Sequence, residues 1–220
     1  MSEIAFRLEA LLQKRFAEKP SDWSGRDRFL AEYSSLARRL GKKPLAPDEN
    51  ERAVLAANGI PWSLEAWGVD ELGRVVALTR AARVIRGDDF RELVETCYAQ
   101  GDNRERTAVL RALPFFSDES ASFVPLAVEA CRSSVDTIFQ AICCDNPFPA
   151  RHFPEANFCQ MVIKALFTGA PVPRIVELSA RISNELVRMA NDFASERRAA
   201  GRVVPDDVEY LLNRAREVIK

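Results

Sequence analysis

Apolar residues recur at intervals of three and four along almost the whole chain, and this helical spacing is the feature that most limits how the chain can fold. The sequence contains no sustained alternation of apolar and polar residues of the kind that is typical of a strand. With 220 residues, of which 47% are hydrophobic, the chain is long enough to bury a sizeable core. We therefore predict an all-α fold in a single domain that covers residues 1–220.

Four short helices are predicted between residues 89 and 144, in a helix-turn-helix rhythm, and each is too short to bury its apolar face alone. We expect an irregular stack of helical hairpins, similar to a HEAT-like or α-α superhelix, with a concave face where a ligand can bind. The predicted helices are Ser2–Ala17, a helix from after Ser24 to Gly41, Asp48–Ala57, Asp70–Ile85, Asp89–Gln100, Arg104–Leu113, Ala121–Arg132, Val135–Cys144, Glu155–Phe167, Arg174–Ile182, Glu185–Ala200 and Pro205–Lys220.

Composition and charge argue against several classes of protein. The formal net charge is −1, which provides no general attraction for a phosphate backbone, so we do not expect a nucleic-acid partner. The chain has no apolar segment of membrane-spanning length and no signal-peptide pattern, so we expect a cytoplasmic protein without an integral membrane segment. The five cysteines form no Cys-x-x-Cys pair and His152 is the single histidine, so we expect no metal site and no cofactor.

The last third of the chain contains the polar residues that are most typical of a site. Prolines 147 and 149 stop the preceding helix and favour extended backbone at Asn146 and Phe148, which predicts a stiff loop. Asn146 either bonds to its own backbone before the proline or contacts a ligand. His152 has either a structural role at the end of this loop or a role as a general base or hydrogen-bond donor to a substrate.

Two of the predicted helices place polar side chains among apolar ones. Gln160 and Lys164 share a narrow polar stripe with Asn157, which faces either solvent or an internal pocket because burying an unpaired lysine is costly. Arg197 falls on the apolar face of its helix, so its guanidinium either extends past the helix end or binds a buried acceptor. Arg181 and Arg202 can converge with it on an anionic or carbonyl-bearing group. The candidate ligand-binding residues are therefore Asn146, His152, Gln160, Lys164, Arg181, Arg197 and Arg202, with no catalytic residue assigned.

Several runs of sequence resemble the EboA-like family, and the resemblance is most specific between residues 132 and 204. This sequence departs from the family pattern at Cys159, Ser183 and Ser195, where other residues are usual. The runs that carry the resemblance are Ile138–Ile142, Asn146–Ala150, Gln160–Gly169 and Glu196–Arg202, with looser matches at Arg39–Lys42, Trp67–Leu72 and Arg111–Pro114.

The resemblance implies an all-helical protein encoded beside a prenyltransferase and a metal-dependent hydrolase, in a gene cluster that makes or moves a small, isoprenoid-linked metabolite. It implies a role in handling or transporting that metabolite, and it assigns no reaction. Its expected partners are a small-molecule metabolite or pathway proteins, and the sequence leaves the oligomeric state open. Two alternatives remain: a metal-independent enzyme that acts on a small polar or anionic substrate, and a protein-protein scaffold.

Overall fold

The computed structural model of the protein describes residues 3–16 and 25–219, and within these ranges the regular secondary structure is helical. Extended backbone pairs in these ranges at an isolated antiparallel β-bridge between Pro44 and Gly68. None of the helices described is long and apolar enough to cross a membrane. The prediction of an all-α fold is confirmed.

The chain divides into two compact units, Met1–Leu126 and Ala127–Lys220, and the boundary falls within one helix, α7, which spans Val124–Ala130. The single domain and the HEAT-like stack stay predictions. The helices of the first unit are α1 (Glu3–Phe16), α2 (Arg26–Leu40), α3 (Glu49–Ala57), α4 (Val69–Val84), α5 (Gly87–Gln100) and α6 (Asn103–Ala112), followed by two 3-10 helices, Leu113–Phe115 and Ser117–Phe123. After α7 (Val124–Ala130), the second unit contains α8 (Asp136–Cys143), α9 (Phe148–His152), α10 (Glu155–Thr168), α11 (Asn184–Ala199) and α12 (Asp206–Val218), with 3-10 helices at Val172–Arg174 and Leu178–Arg181.

Helix α4 is the centre of the first unit. Thirteen of its 16 residues are buried, and α1, α2, α5 and α6 all contact it. A helix that is buried on every side is typical of a domain core. Gly73 permits the close approach of α2, because a Cβ atom at this position would lie 2.4 Å from the Cδ1 atom of Leu40.

In the second unit the most buried long helix is α10, which contacts α8 and α11. Helix α11 packs in turn on α12. Ser183 accepts a hydrogen bond from the backbone N–H of Leu186 at 3.3 Å, so the serine caps the start of α11. Gly201 follows the end of this helix with a positive φ of 66°, a conformation that glycine adopts without strain.

Two predicted helices differ from the structure. The prediction for Arg174–Ile182 is wrong, because Glu177 has a left-handed φ of 58° that separates two short 3-10 helices. The predicted helix Ala121–Arg132 is α-helical only over α7. Pro125 has no N–H to donate to the carbonyl of Ala121, so the α-helical hydrogen bonds begin after it, and residues 117–123 form a 3-10 helix instead.

The loop with two prolines is also more helical than predicted. The expectation of extended backbone at Phe148 is wrong, because this residue begins α9 and the preceding Pro147 has helical torsion angles of −77° and −10°. Prolines fit the first turn of a helix, where the backbone N–H groups have no partner within the helix. The predicted helix ends at Ser2, Ala17 and Lys220 lie outside the described residues.

Candidate functional site

Asn146 is buried and binds backbone on both sides of its loop. Its Nδ2 atom donates to the carbonyl of Ala141 at 2.9 Å, and its Oδ1 atom accepts from the backbone N–H of Phe148 at 3.0 Å. The side chain therefore joins the last turn of α8 to the start of α9. This is the backbone-binding role that the sequence offered as one of two interpretations.

Lys164 binds the chain directly after α7. Its ammonium group donates to the carbonyls of Cys131 and Ser133, both at 2.6 Å, and lies 4.6 Å from the ring centre of Phe139. The lysine therefore supplies a donor to two carbonyls of the turn that follows α7, and these carbonyls together with the ring of Phe139 solvate its charge. Gln160, one turn earlier on α10, is exposed.

Arg181 and His152 lie at the C-terminal end of α9. The Arg181 guanidinium donates to the carbonyls of Ala150 and Phe153, the latter at 2.8 Å, and stacks 4.7 Å from the ring centre of Phe158. The half-buried His152 ring lies 4.8 Å from the ring of Phe148. Burial, together with the charge of Arg151, lowers the pKa of His152 below its usual value, so the ring is neutral near pH 7.

Arg197 and Arg202 lie at the end of α11. The Nε atom of Arg197 donates to the carbonyl of Val203 at 2.6 Å, beyond the end of the helix. Val203 is exposed, so this acceptor is not the buried one that the second of the two predicted roles required. Arg202 is exposed and pairs with Glu196 at 3.3 Å. The predicted cations of the second unit thus bind backbone or carboxylate groups of three different segments. That they form one ligand site stays a prediction.

The first unit contains a cleft that the predicted site residues do not include. Its volume is about 470 Å³, within the range of about 300–1,000 Å³ that is common for small-molecule sites. Helix α3 forms one wall, and the segment that follows it, residues 60–65, forms the other. Residues that line it include Pro47, Ala53, Ala56, Pro61, Trp62 and Leu64.

Local hydrogen bonds hold the two walls of the cleft in place. The chain reverses at Gly59, which has a φ of 90°, and the N–H of Ile60 then donates to the carbonyl of Leu55 at 2.9 Å. Ala53 and Ala56 project only methyl groups from α3, which leaves the volume open. Trp62 is almost completely buried, with its ring 6.2 Å from that of Phe115, so it forms a fixed apolar floor.

Charged side chains lie at the rim of this cleft. Arg52 donates from Nη1 to the carbonyl of Pro47 at 3.2 Å and to Glu65 Oε1 at 3.3 Å. This ion pair joins α3 to the opposite wall, and both side chains are more than half exposed, at 52% and 68%. Glu49 adds a second carboxylate to the lining.

A buried ionic network lies at the start of α4. Asp70 accepts hydrogen bonds from Arg74 at 2.6 Å and from Arg104, whose Nε atom is 3.0 Å away. Burial alone would raise the pKa of Asp70, but the hydrogen bonds and charges of the two arginines outweigh it and lower the pKa below its usual range. Next to it, Glu71 pairs with Arg111 at 2.5 Å.

This network is compensated internally. The sixth member, Glu105, lies 3.6 Å from Arg74, so three carboxylates face three guanidinium groups. The geometry needs Gly68, because a Cβ atom there would lie 2.2 Å from Nη2 of Arg104. We therefore assign the network to the stability of the first unit.

Sequence reasoning missed both the cleft and the network. A signal for the cleft existed, since Pro47 and Ile60-Pro61-Trp62 flank a short helix with small residues at positions 53 and 56. A signal for the network existed as well, since its six members lie in the segments 70–74, 104–105 and 111, which include acidic and basic residues in otherwise apolar helices.

Comparison with known proteins bears on the identity of the chain. No curated protein and no solved structure matches it significantly. A family model described as "Metabolite traffic protein EboA" matches residues 8–213, which is almost the whole chain and includes the cleft, the network and the polar residues of the second unit. The chain belongs to the EboA family.

Proposed function

We propose that this protein binds a small metabolite for transfer within a biosynthetic pathway, and that the cleft between α3 and residues 60–65 holds the ligand. The observation that supports this most directly is a cleft of about 470 Å³ with apolar walls, in a chain that belongs to a metabolite traffic family. No residue pair at the cleft has the arrangement of a nucleophile and a base, so binding alone is proposed.

The walls of the cleft suit an apolar ligand. Two prolines, two alanines, a leucine and a tryptophan present carbon surface, which gains about 25 cal/mol for each Å² that a ligand removes from water. We propose an isoprenoid-linked metabolite, because a chain with methyl branches has the shape and the apolar character to fill this space. Under this proposal the metabolite is the principal partner of the protein. A cytoplasmic location stays a prediction.

The test compares cleft-filling variants with a matched control on the same helix. Ala53→Leu and Ala56→Leu place side chains in the cleft, whereas Ala57→Leu makes the same change at an exposed position of α3 that does not line it. Geraniol, a ten-carbon isoprenoid alcohol, is the probe, and its binding is followed by isothermal titration calorimetry. We expect the double cleft variant to bind geraniol at least tenfold more weakly than the wild type and the control.

The result that contradicts the proposal is equally clear. If geraniol binds the cleft-filling variant as well as it binds Ala57→Leu, the cleft is not its site. Native mass spectrometry of the protein purified from its own host gives a second measurement. A co-purifying small molecule should be present in the wild type and in Ala57→Leu, and absent from the cleft-filling variant.

A further inference from the structure

We infer that the cleft selects a ligand with an uncharged head group and disfavours a phosphate ester of the same apolar chain. This inference rests on the proposed function and defines the class of ligand more narrowly. It follows from the charges around the cleft, where each source of positive potential already has a partner.

The first source of positive potential is the N-terminus of α3. Unpaired N–H groups at the start of a helix attract phosphate groups. Here Asp48 accepts from the backbone N–H of Glu51 at 2.7 Å, and the Glu51 side chain accepts from the N–H of Asp48 at 3.0 Å. Two carboxylates therefore occupy the end of the helix that would otherwise attract an anion.

The second source is Arg52, the cation among the residues that line the cleft. Its guanidinium contacts Glu65 and the carbonyl of Pro47, and Glu49 lies on the same lining. The lining thus includes two carboxylates and one guanidinium. A phosphate group that enters must either displace Glu65 from Arg52 or lie beside carboxylates of like charge.

A neutral ligand meets neither obstacle. An alcohol places its carbon chain against Trp62 and the alanines, and its hydroxyl at the rim, where water and the Arg52–Glu65 pair both offer hydrogen-bonding groups. Because that ion pair is more than half exposed, solvent screens it. We therefore expect a selectivity of about tenfold at low ionic strength and a smaller one at high salt.

The experiment measures the affinity ratio of two probes with the same carbon chain, geraniol and geranyl monophosphate. Wild-type protein should bind geraniol about tenfold more tightly. Glu65→Gln releases Arg52, so the ratio of geraniol affinity to phosphate affinity should fall about three- to tenfold. Adding Arg52→Gln to that variant should restore the preference for geraniol, because the released cation is then removed.

The matched control is Glu92→Gln. Glu92 is an exposed carboxylate of the same unit that does not line the cleft, and it pairs with Arg26 at 2.6 Å. Its replacement changes the net charge by the same amount as Glu65→Gln. This control should keep the wild-type ratio. Far-ultraviolet circular dichroism of each variant checks that the helices are intact.

The outcomes separate this inference from the proposed function. Equal or tighter binding of the phosphate by the wild type, or a ratio that Glu65→Gln does not change, overturns the inference while the cleft remains a binding site. Binding of neither probe overturns both proposals together.

Discussion

Replacing Asp70 with asparagine tests whether the ionic network stabilises the first unit. Asp70 is 0% exposed and neutralises two guanidinium groups, those of Arg74, 1% exposed, and Arg104, 34% exposed. Asparagine keeps the shape of the side chain but removes its charge. Arg74 then remains buried, with Glu105 as the neighbouring carboxylate at 3.6 Å.

The expected cost follows from the burial of each partner. Removing one member of a buried ion pair costs about 3–5 kcal/mol, because the other charge is left without compensation. We expect the Asp70→Asn variant to lose about 3 kcal/mol of unfolding free energy. Arg104→Gln leaves the pair between Asp70 and Arg74 intact. Because the Arg104 side chain is partly solvated, this change should lower the unfolding free energy by only about 1 kcal/mol.

Urea unfolding at pH 7, followed by tryptophan fluorescence, measures both variants. The sequence places its three tryptophans at positions 23, 62 and 67, within the first unit, so fluorescence reports on that unit while circular dichroism at 222 nm reports on both. The midpoint of the fluorescence transition should decrease clearly for Asp70→Asn and only slightly for Arg104→Gln. A cost below about 1 kcal/mol for Asp70→Asn, or equal costs for the two variants, would refute the argument that burial sets the strength of this network.

Three further predictions concern pH, the second unit and the thiols. The pKa of Asp70 is lower in the folded protein than in the unfolded chain, where it is about 4. The stability that the ionised Asp70 contributes is therefore present above about pH 4 and is lost as the pH falls through the folded-state pKa. The urea midpoint should decrease from pH 5 to pH 2, and it should decrease less in the Asp70→Asn variant. Lys164→Met leaves two carbonyls without their donor and should cost about 2 kcal/mol by circular dichroism, whereas Gln160→Ala, at an exposed position, should change stability by less than about 0.5 kcal/mol. Burial raises the pKa of Cys97 and of Cys131 to about 12, so neither thiol should react with iodoacetamide at pH 7.5 until urea unfolds the protein, as mass spectrometry can show.

The helices were the part of the fold that the sequence predicted best. Periodic apolar residues predicted α4, α10 and α11, because this pattern depends on neighbours within four residues. The segment 174–182 was predicted wrongly because the turn at Glu177 requires a left-handed backbone that residues other than glycine rarely adopt. Nothing in the local pattern marks a glutamate for that conformation.

The candidate site was harder to predict because its residues are brought together by the fold. Lys164 and Arg197 were recognised as misplaced polar groups, but the carbonyls that bind them belong to Cys131, Ser133 and Val203, and a carbonyl leaves no mark on the sequence. The cleft was missed for a different reason. It is formed where Ala53 and Ala56 leave volume open, and alanines are common in helices, so they indicate a cleft only when they are considered together with Pro47 and Ile60-Pro61-Trp62 on either side of the helix.

The two kinds of feature can be separated by measuring stability and binding on the same variants. A side chain that binds backbone carbonyls of a turn, such as Lys164, contributes to folding, so its loss should lower the unfolding free energy. An alanine that lines an open cleft contributes little, so Ala53→Leu and Ala56→Leu should retain wild-type stability, or gain some as apolar surface is covered. Positions where binding falls and stability does not are therefore ligand contacts. If the leucine variants also unfold at lower urea concentration, the space beside α3 is part of the packed core, and the second unit becomes the better place to search for the metabolite.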